Sequence, residues 1–215
     1  LQFFWVADCS GSMAADGKIQ ALNNAIRETI PHLREVAADN PFAQMTVRAL
    51  GFSSGIRWHV ATPTPIEELV WTDLEPGGLT DMGAALTEIS THLTSPPIPQ
   101  RSLPPAIVLI SDGQPTDDFD QGMADLCAQP WGARSARVSV AIGRDADLDV
   151  LARFSSDPDL GPLTANNPEQ LAQMIRWAST VASQLASVPG RHAPEPVPTV
   201  PVPRASAADA GNEVW

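Results

Sequence analysis

Cysteine and basic side chains are scarce in this 215-residue sequence, and tyrosine is missing altogether. The two cysteines, Cys9 and Cys127, form no CxxC pair and no spaced framework, so neither a disulfide scaffold nor a zinc site is indicated. With 13 Lys and Arg against 25 Asp and Glu the formal charge is -12. Nucleic acid and anionic membrane surfaces would be repelled, and basic proteins or cations are the natural company. No stretch reaches the ~18 consecutive apolar residues of a transmembrane helix. The N-terminal residues also lack the basic region and cleavage site of a signal peptide. Together these absences point to a reducing, cytoplasmic compartment. The aromatic load falls on Trp5, Trp58, Trp71, Trp131, Trp177 and Trp215. Most are expected as core or half-buried filler, with Trp58 and Trp71, upstream of a Gly-rich loop, as candidates for an interface.

What is present is enough for one well-cored domain: 43% of the residues are hydrophobic, and the length falls short of two ordinary domains. Short apolar runs bounded by turn residues recur at 3–6, 45–50, 106–110 and 138–142, as buried strands do. Between them, Ile19, Leu22, Ile26, Ile30 and Leu33 keep the three- and four-residue spacing of a helix, as do Leu171, Met174, Ile175, Ala178, Val181 and Leu185. Shorter helices are expected at 83–93, 119–127 and 148–154, and an edge or hairpin strand at 55–61. Alternation of this kind implies an α/β fold: a Rossmann-like, doubly wound, mainly parallel sheet flanked by helices, with an antiparallel edge strand. Residues 1–187 form the expected domain. From 188 to 215 periodicity gives way to Pro189, Pro194, Pro196, Pro198, Pro201 and Pro203, which predicts a Pro-rich, disordered tail.

In open parallel sheets ligands bind beyond the carboxyl ends of the strands, and the oxygen-bearing residues cluster there. Asp8-Cys9-Ser10-Gly11-Ser12 follows the first strand. Its alternate positions can turn Asp8, Ser10 and Ser12 toward one point. Gly77-Gly78-Leu79-Thr80-Asp81 places a threonine ahead of a helix, and Ile110-Ser111-Asp112-Gly113 places a carboxylate where a buried strand stops. An all-oxygen set of this kind suits Mg²⁺ rather than zinc.

These three segments resemble the metal-ion-dependent adhesion site (MIDAS) of von Willebrand factor A (vWA) domains, a resemblance covering roughly residues 1–187. Asp8 to Met13 with the Lys18 to Asn23 helix start, Thr80 to Leu86, and Ser111 to Asp117 look most like the bacterial TerY-like group. The resemblance implies a metal site of Asp8, Ser10, Ser12, Thr80 and Asp112. The hydroxyls would supply oxygens to Mg²⁺, with Mn²⁺ or Ca²⁺ as alternatives, and the carboxylates would hold its waters or bind it directly. It further implies a non-enzymatic protein-interaction module of a signalling or stress-response system. Such a module would bind a Glu or Asp of a partner, by resemblance a protein kinase or 2C-type phosphatase. An adaptor of an ATPase-driven chelatase or remodelling complex, and a surface adhesion domain, are the alternatives within the same family.

Competing readings are weaker. Ser10 and Ser12 alone would pass for turn and N-cap residues, and neither lies in a nucleophile elbow. Lys18 is the only basic residue close to the first motif, so no phosphate-binding constellation accompanies the site. His32, His59, His92 and His192 share no metal spacing. Cys9 and Cys127 both read as small buried filler. Asp112, Asp117, Asp118 and Asp120 form an acidic stretch without a basic residue, either a solvated loop or a rim that selects partners whose acidic residue is flanked by basic ones.

Overall fold

The computed structural model describes residues 1–38, 44–95, 98–99, 102–187 and 214–215. β1 (Gln2–Asp8) leads through a 3-10 segment (Gly11–Gly17) into α1 (Lys18–Ala38). Then follow β2 (Thr46–Ser53), β3 (Gly55–Pro65), α2 (Met82–Thr91), β4 (Ala106–Ser111) and α3 (Phe119–Ala128). β5 (Ala136–Ile142), α4 (Leu148–Phe154), β6 (Leu163–Ala165) and α5 (Pro168–Ser187) complete the order. The six strands form one sheet in the order β3-β2-β1-β4-β5-β6. Only the β2–β3 pair is antiparallel. This is the doubly wound α/β architecture expected from the alternation of strands and helices, with the antiparallel strand at the edge.

β1 lies at the centre because it has no polar face to give to water. Phe3, Phe4, Trp5 and Val6 are fully buried, and the two-residue period of a strand sends them alternately to opposite sides. Phe3, Trp5 and Ala7 pack with Leu22, Ile26, Ile175 and Ala178 of α1 and α5. Phe4 and Val6 pack with Met82, Leu86, Phe119, Leu151 and Phe154 of α2, α3 and α4. At ~25 cal/mol per Å² of apolar surface, each such side chain contributes roughly 1.5–3 kcal/mol, so the two layers hold the central strand from both sides.

Two features depart from the sequence reading. β6 is three residues long, too short to leave a periodic signature. β3 runs to Pro65 rather than 61, with register shifts opposite Val47 to Leu50. An edge strand tolerates Pro63 and Pro65 because its outer side has no ladder partner to lose. The expected Pro-rich tail falls outside the described residues, apart from Val214 and Trp215. Among the described residues no helix is long and apolar enough to cross a membrane.

α2 and α3 approach through bare backbone. A Cβ on Gly122 would lie 2.4 Å from the Gly83 carbonyl oxygen, and one on Gly83 would lie 2.2 Å from the Asp118 oxygen. The loop carrying Asp117 and the start of α2 are thereby held in contact. Gly122→Ala is therefore expected to push the helices apart and to cost ~1–3 kcal/mol, the usual range for overpacking. The loss should read out as a lower urea midpoint at unchanged slope.

Candidate functional site

The loop after β1 is shaped by its own first carboxylate. Asp8 is fully buried, and its Oδ1 accepts the Ser10 backbone N–H at 2.8 Å, a local turn that aspartate favours. Its Oδ2 accepts the Ser111 hydroxyl from the end of β4. The Ser10 hydroxyl does not cap the 3-10 segment that follows. It lies instead 2.9 Å from the Ser12 hydroxyl, so the N-cap reading of Ser10 does not hold. Ser12 in turn donates to Asp112 Oδ1 at 2.7 Å.

The Gly-rich segment clamps onto this loop through main-chain bonds. Gly77 N–H donates to the Cys9 carbonyl at 2.8 Å and Gly11 N–H to the Gly78 carbonyl at 3.0 Å. Gly78 has φ +90, and a Cβ there would sit 2.6 Å from Ser54 Oγ, so the close approach requires glycine. The segment delivers Thr80, which is buried and tied down by Thr116: its N–H donates to Thr116 Oγ1, and its carbonyl accepts from the Thr116 N–H, both at 2.9 Å. A Cβ added to Gly113 would lie 3.6 Å from Thr80 Oγ1 and 3.8 Å from Asp8 Oδ2, so both oxygens face the same backbone position. The five residues singled out from the sequence thus converge at one end of the sheet, from three loops.

Lys18 and Ser111 complete the constellation, and the sequence reading assigned neither to it. Lys18 is the first residue of α1, and its Nζ donates to Asp112 Oδ2 at 2.7 Å. Both side chains are buried, 11% and 0% exposed. Asp112 is therefore shared between a hydroxyl and an ammonium. A lysine six residues past the motif was visible, but its partner lies 94 positions away in sequence.

Burial raises the Asp8 carboxyl above its ordinary range, the nearby Asp112 charge adds to this, and hydrogen bonds from Ser111 and Ser10 oppose it. Burial, then the Asp8 charge, push the Cys9 thiol up to about 12. Cys9 is thus an unreactive filler, as expected. Cys127 is exposed, contrary to its expected burial, because it sits on the outer side of α3, where the neighbouring Leu126 takes the core position.

Part of the acidic stretch is tied to helix ends. Both Asp117 oxygens accept N–H groups at the start of α2, from Gly83 at 2.8 Å and Ala84 at 2.7 Å. This placement also favours a negative charge against the helix dipole. Asp118 caps α3 by accepting from Gln121 N–H at 2.9 Å. Asp120 pairs with Arg153. Asp117 and Asp118 thus hold helix ends, while Asp118 and Asp120 stay exposed to solvent. Trp71 is likewise no interface residue: it is 7% exposed, stacks edge-on against Trp5 and donates to Asn23 Oδ1. Trp58 is half-buried and donates to Glu88 Oε1 at 2.8 Å.

Two oxygen-bearing carboxylates and three hydroxyls form a donor set suited to a hard cation. Among the described residues no group of three or more His, Cys, Asp and Glu side chains is placed to hold a metal ion. The candidate set differs in kind, since hydroxyls make up most of it. Beside it, a cleft of about 340 Å³ opens between Cys9, Gly51, Ile56, Arg57, Leu74 and Gly77.

No protein-family model and no curated protein matches the chain by sequence. Solved structures do match in fold. The ArnB paralog VWA2 from Sulfolobus acidocaldarius aligns over 82% of this chain at 18% identity and TM-score 0.59. A von Willebrand factor type A protein from Catenulispora acidiphila aligns over 84% at 19% identity and TM-score 0.61. Proximal thread matrix protein 1 from the mussel byssus, in a structure with a zinc-occupied MIDAS motif, aligns over 82% at 17% identity and TM-score 0.65. The chain covers 44%, 42% and 46% of these three proteins, less than half of each. Its fold is that of a vWA domain.

Because the native state raises the Asp8 pKa, it holds that proton more tightly than the unfolded chain does. The Asp8 contribution to stability therefore falls as pH rises above the ordinary aspartate value of 3.8. With divalent ions removed, Asp8→Asn is expected to be at least as stable as the wild type at neutral pH. That advantage should shrink as the pH is lowered toward the carboxylate range, read by thermal unfolding across a pH series.

Proposed function

We propose that this chain is a Mg²⁺-dependent protein-interaction module of the vWA type rather than an enzyme, and that Asp8, Ser10, Ser12, Thr80 and Asp112 form its metal site. The observation that carries this reading is the convergence of five oxygen-bearing side chains of which only two are carboxylates. Bound there, Mg²⁺, or Mn²⁺ or Ca²⁺ in its place, would supply an electrophilic position for a carboxylate oxygen. The zinc-occupied MIDAS motif of the mussel byssus protein, which shares the fold, supports metal binding by a motif of this kind.

The chain's own residues fit capture better than catalysis. Ser10, Ser12 and Thr80 are neutral donors that add no negative charge to that of Asp8 and Asp112, so a bound cation can still accept a glutamate or aspartate oxygen of another protein. Asp8 and Asp112 are buried and already engaged by hydroxyl, backbone and ammonium donors, so neither is free to serve as a general base. The 340 Å³ cleft beside the Gly77 turn offers room for side chains flanking the captured residue.

We further place the module in a bacterial signalling or stress-response system of the TerY-like kind, with a protein kinase or 2C-type phosphatase as partner. This assignment rests on the motif segments around Asp8, Thr80 and Asp112. The test is retention of a candidate kinase and a candidate 2C phosphatase on the immobilised chain. Binding is expected in Mg²⁺, and loss of it in EDTA and in the Asp8→Ala/Thr80→Ala variant. Retention unaffected by both treatments would overturn metal-dependent recognition.

A further inference from the structure

We propose that Lys18 is a built-in counter-cation that stands in for the divalent ion at Asp112 and makes metal binding conditional on a partner's carboxylate. This rests on the metal-site reading above and adds a residue outside the five-member set. A buried ammonium is costly unless it is paired, and Lys18 finds its partner in the site itself, 2.7 Å from Asp112 Oδ2. Asp112 Oδ1 accepts from Ser12, whose oxygen also meets Ser10. The lysine is thus joined through one carboxylate to the hydroxyl donors.

The charge count gives the pairing its consequence. Asp8 and Asp112 bring two negative charges when ionised, and Lys18 cancels one. A divalent ion then leaves the site with one net positive charge, and a single carboxylate from outside returns it to neutrality. Metal and acidic ligand should therefore bind cooperatively, each weakly without the other. Without the lysine, the two carboxylates would neutralise the ion by themselves and nothing would favour a third.

A purely structural ion pair, tying the start of α1 to the end of β4, makes a different prediction. Its loss would lower stability and leave metal affinity unchanged or weaker. In the stand-in role, loss of the lysine tightens metal binding, because a like charge 2.7 Å from the Asp112 carboxylate has been removed. Even at the dielectric of water, that repulsion corresponds to on the order of tenfold in affinity.

Mn²⁺ titrations of the wild-type chain, Lys18→Met and Lys18→Arg, read by the electron paramagnetic resonance of free Mn²⁺, separate the two. Lys18→Met is expected to bind Mn²⁺ ~10-fold more tightly or better, while Lys18→Arg, which keeps the charge, stays near the wild type. Added acetate should tighten Mn²⁺ binding in the wild type and do so much less in Lys18→Met. Mn²⁺ bound by Lys18→Met alone would also support the proposal. If the wild type binds Mn²⁺ and Lys18→Met binds no more tightly, the role of the lysine is overturned while the metal site stands. If neither binds Mn²⁺, the metal-site reading falls and the inference falls with it.

A measurement on the unmodified chain covers the case in which Lys18→Met does not fold. The ¹⁵N ammonium resonance of Lys18 should shift on saturation with Mg²⁺, and an unchanged resonance would overturn the stand-in role.

Discussion

The burial of β1 on both faces is the constraint from which the candidate site follows. A strand whose side chains meet helices above and below has no place for polar groups along its length. Such groups collect where backbone pairing ends. β1 also has β2 on one side and β4 on the other, so the connections diverge at its carboxyl end and leave a crevice there. Asp8 closes β1 and Asp112 follows β4. Both are buried, and each has to find donors: Ser10 N–H and Ser111 for the first, Ser12 and Lys18 for the second. The hydrogen-bond chain is the response of three loops to two carboxylates that the sheet has put in place.

The same economy accounts for the acidic loop. A chain with a formal charge of -12 has aspartates to spare, and the loop after β4 uses them to finish helices. Asp117 reaches across to the exposed N–H groups of α2, and Asp118 serves its own helix, α3. The α2–α3 contact through Gly83 and Gly122 brings the first of these within reach. Negative charge close to the crevice is thereby absorbed by the positive ends of helix dipoles and by Arg153.

Strand and helix order was legible because burial on two faces writes near-continuous apolar runs such as Phe3 to Val6 and Ala106 to Ile110, and because α1 and α5 keep a regular apolar stripe. β6 left no such mark: three residues cannot show a period. The five candidate site residues were legible as a local pattern at strand ends. What joins them was not. Lys18 and Asp112 are brought together by the parallel pairing of β1 with β4, a contact that no local spacing encodes. The inward turn of Asp117 was hidden for the same reason, since its acceptor role depends on helix N–H groups 34 and 33 residues earlier in the chain. Trp71 looked available for an interface because a tryptophan ahead of a loop gives no sign of Asn23, whose side chain draws its indole inward.

The last described residues carry a practical consequence. The backbone N–H groups of Val214 and Trp215 both donate to the Asn166 carbonyl, and the Trp215 indole donates to the Asp16 carbonyl at 2.9 Å. Trp215 therefore lies at the crevice end of the sheet, a few residues from Ser12. Leu1, by contrast, lies at the opposite end of the sheet, its amino group on the Gln44 carbonyl. Anything attached beyond Trp215, whether a surface tether, a fluorophore or a fusion partner, would crowd the crevice. The same attachment ahead of Leu1 would leave that end of the molecule facing outward.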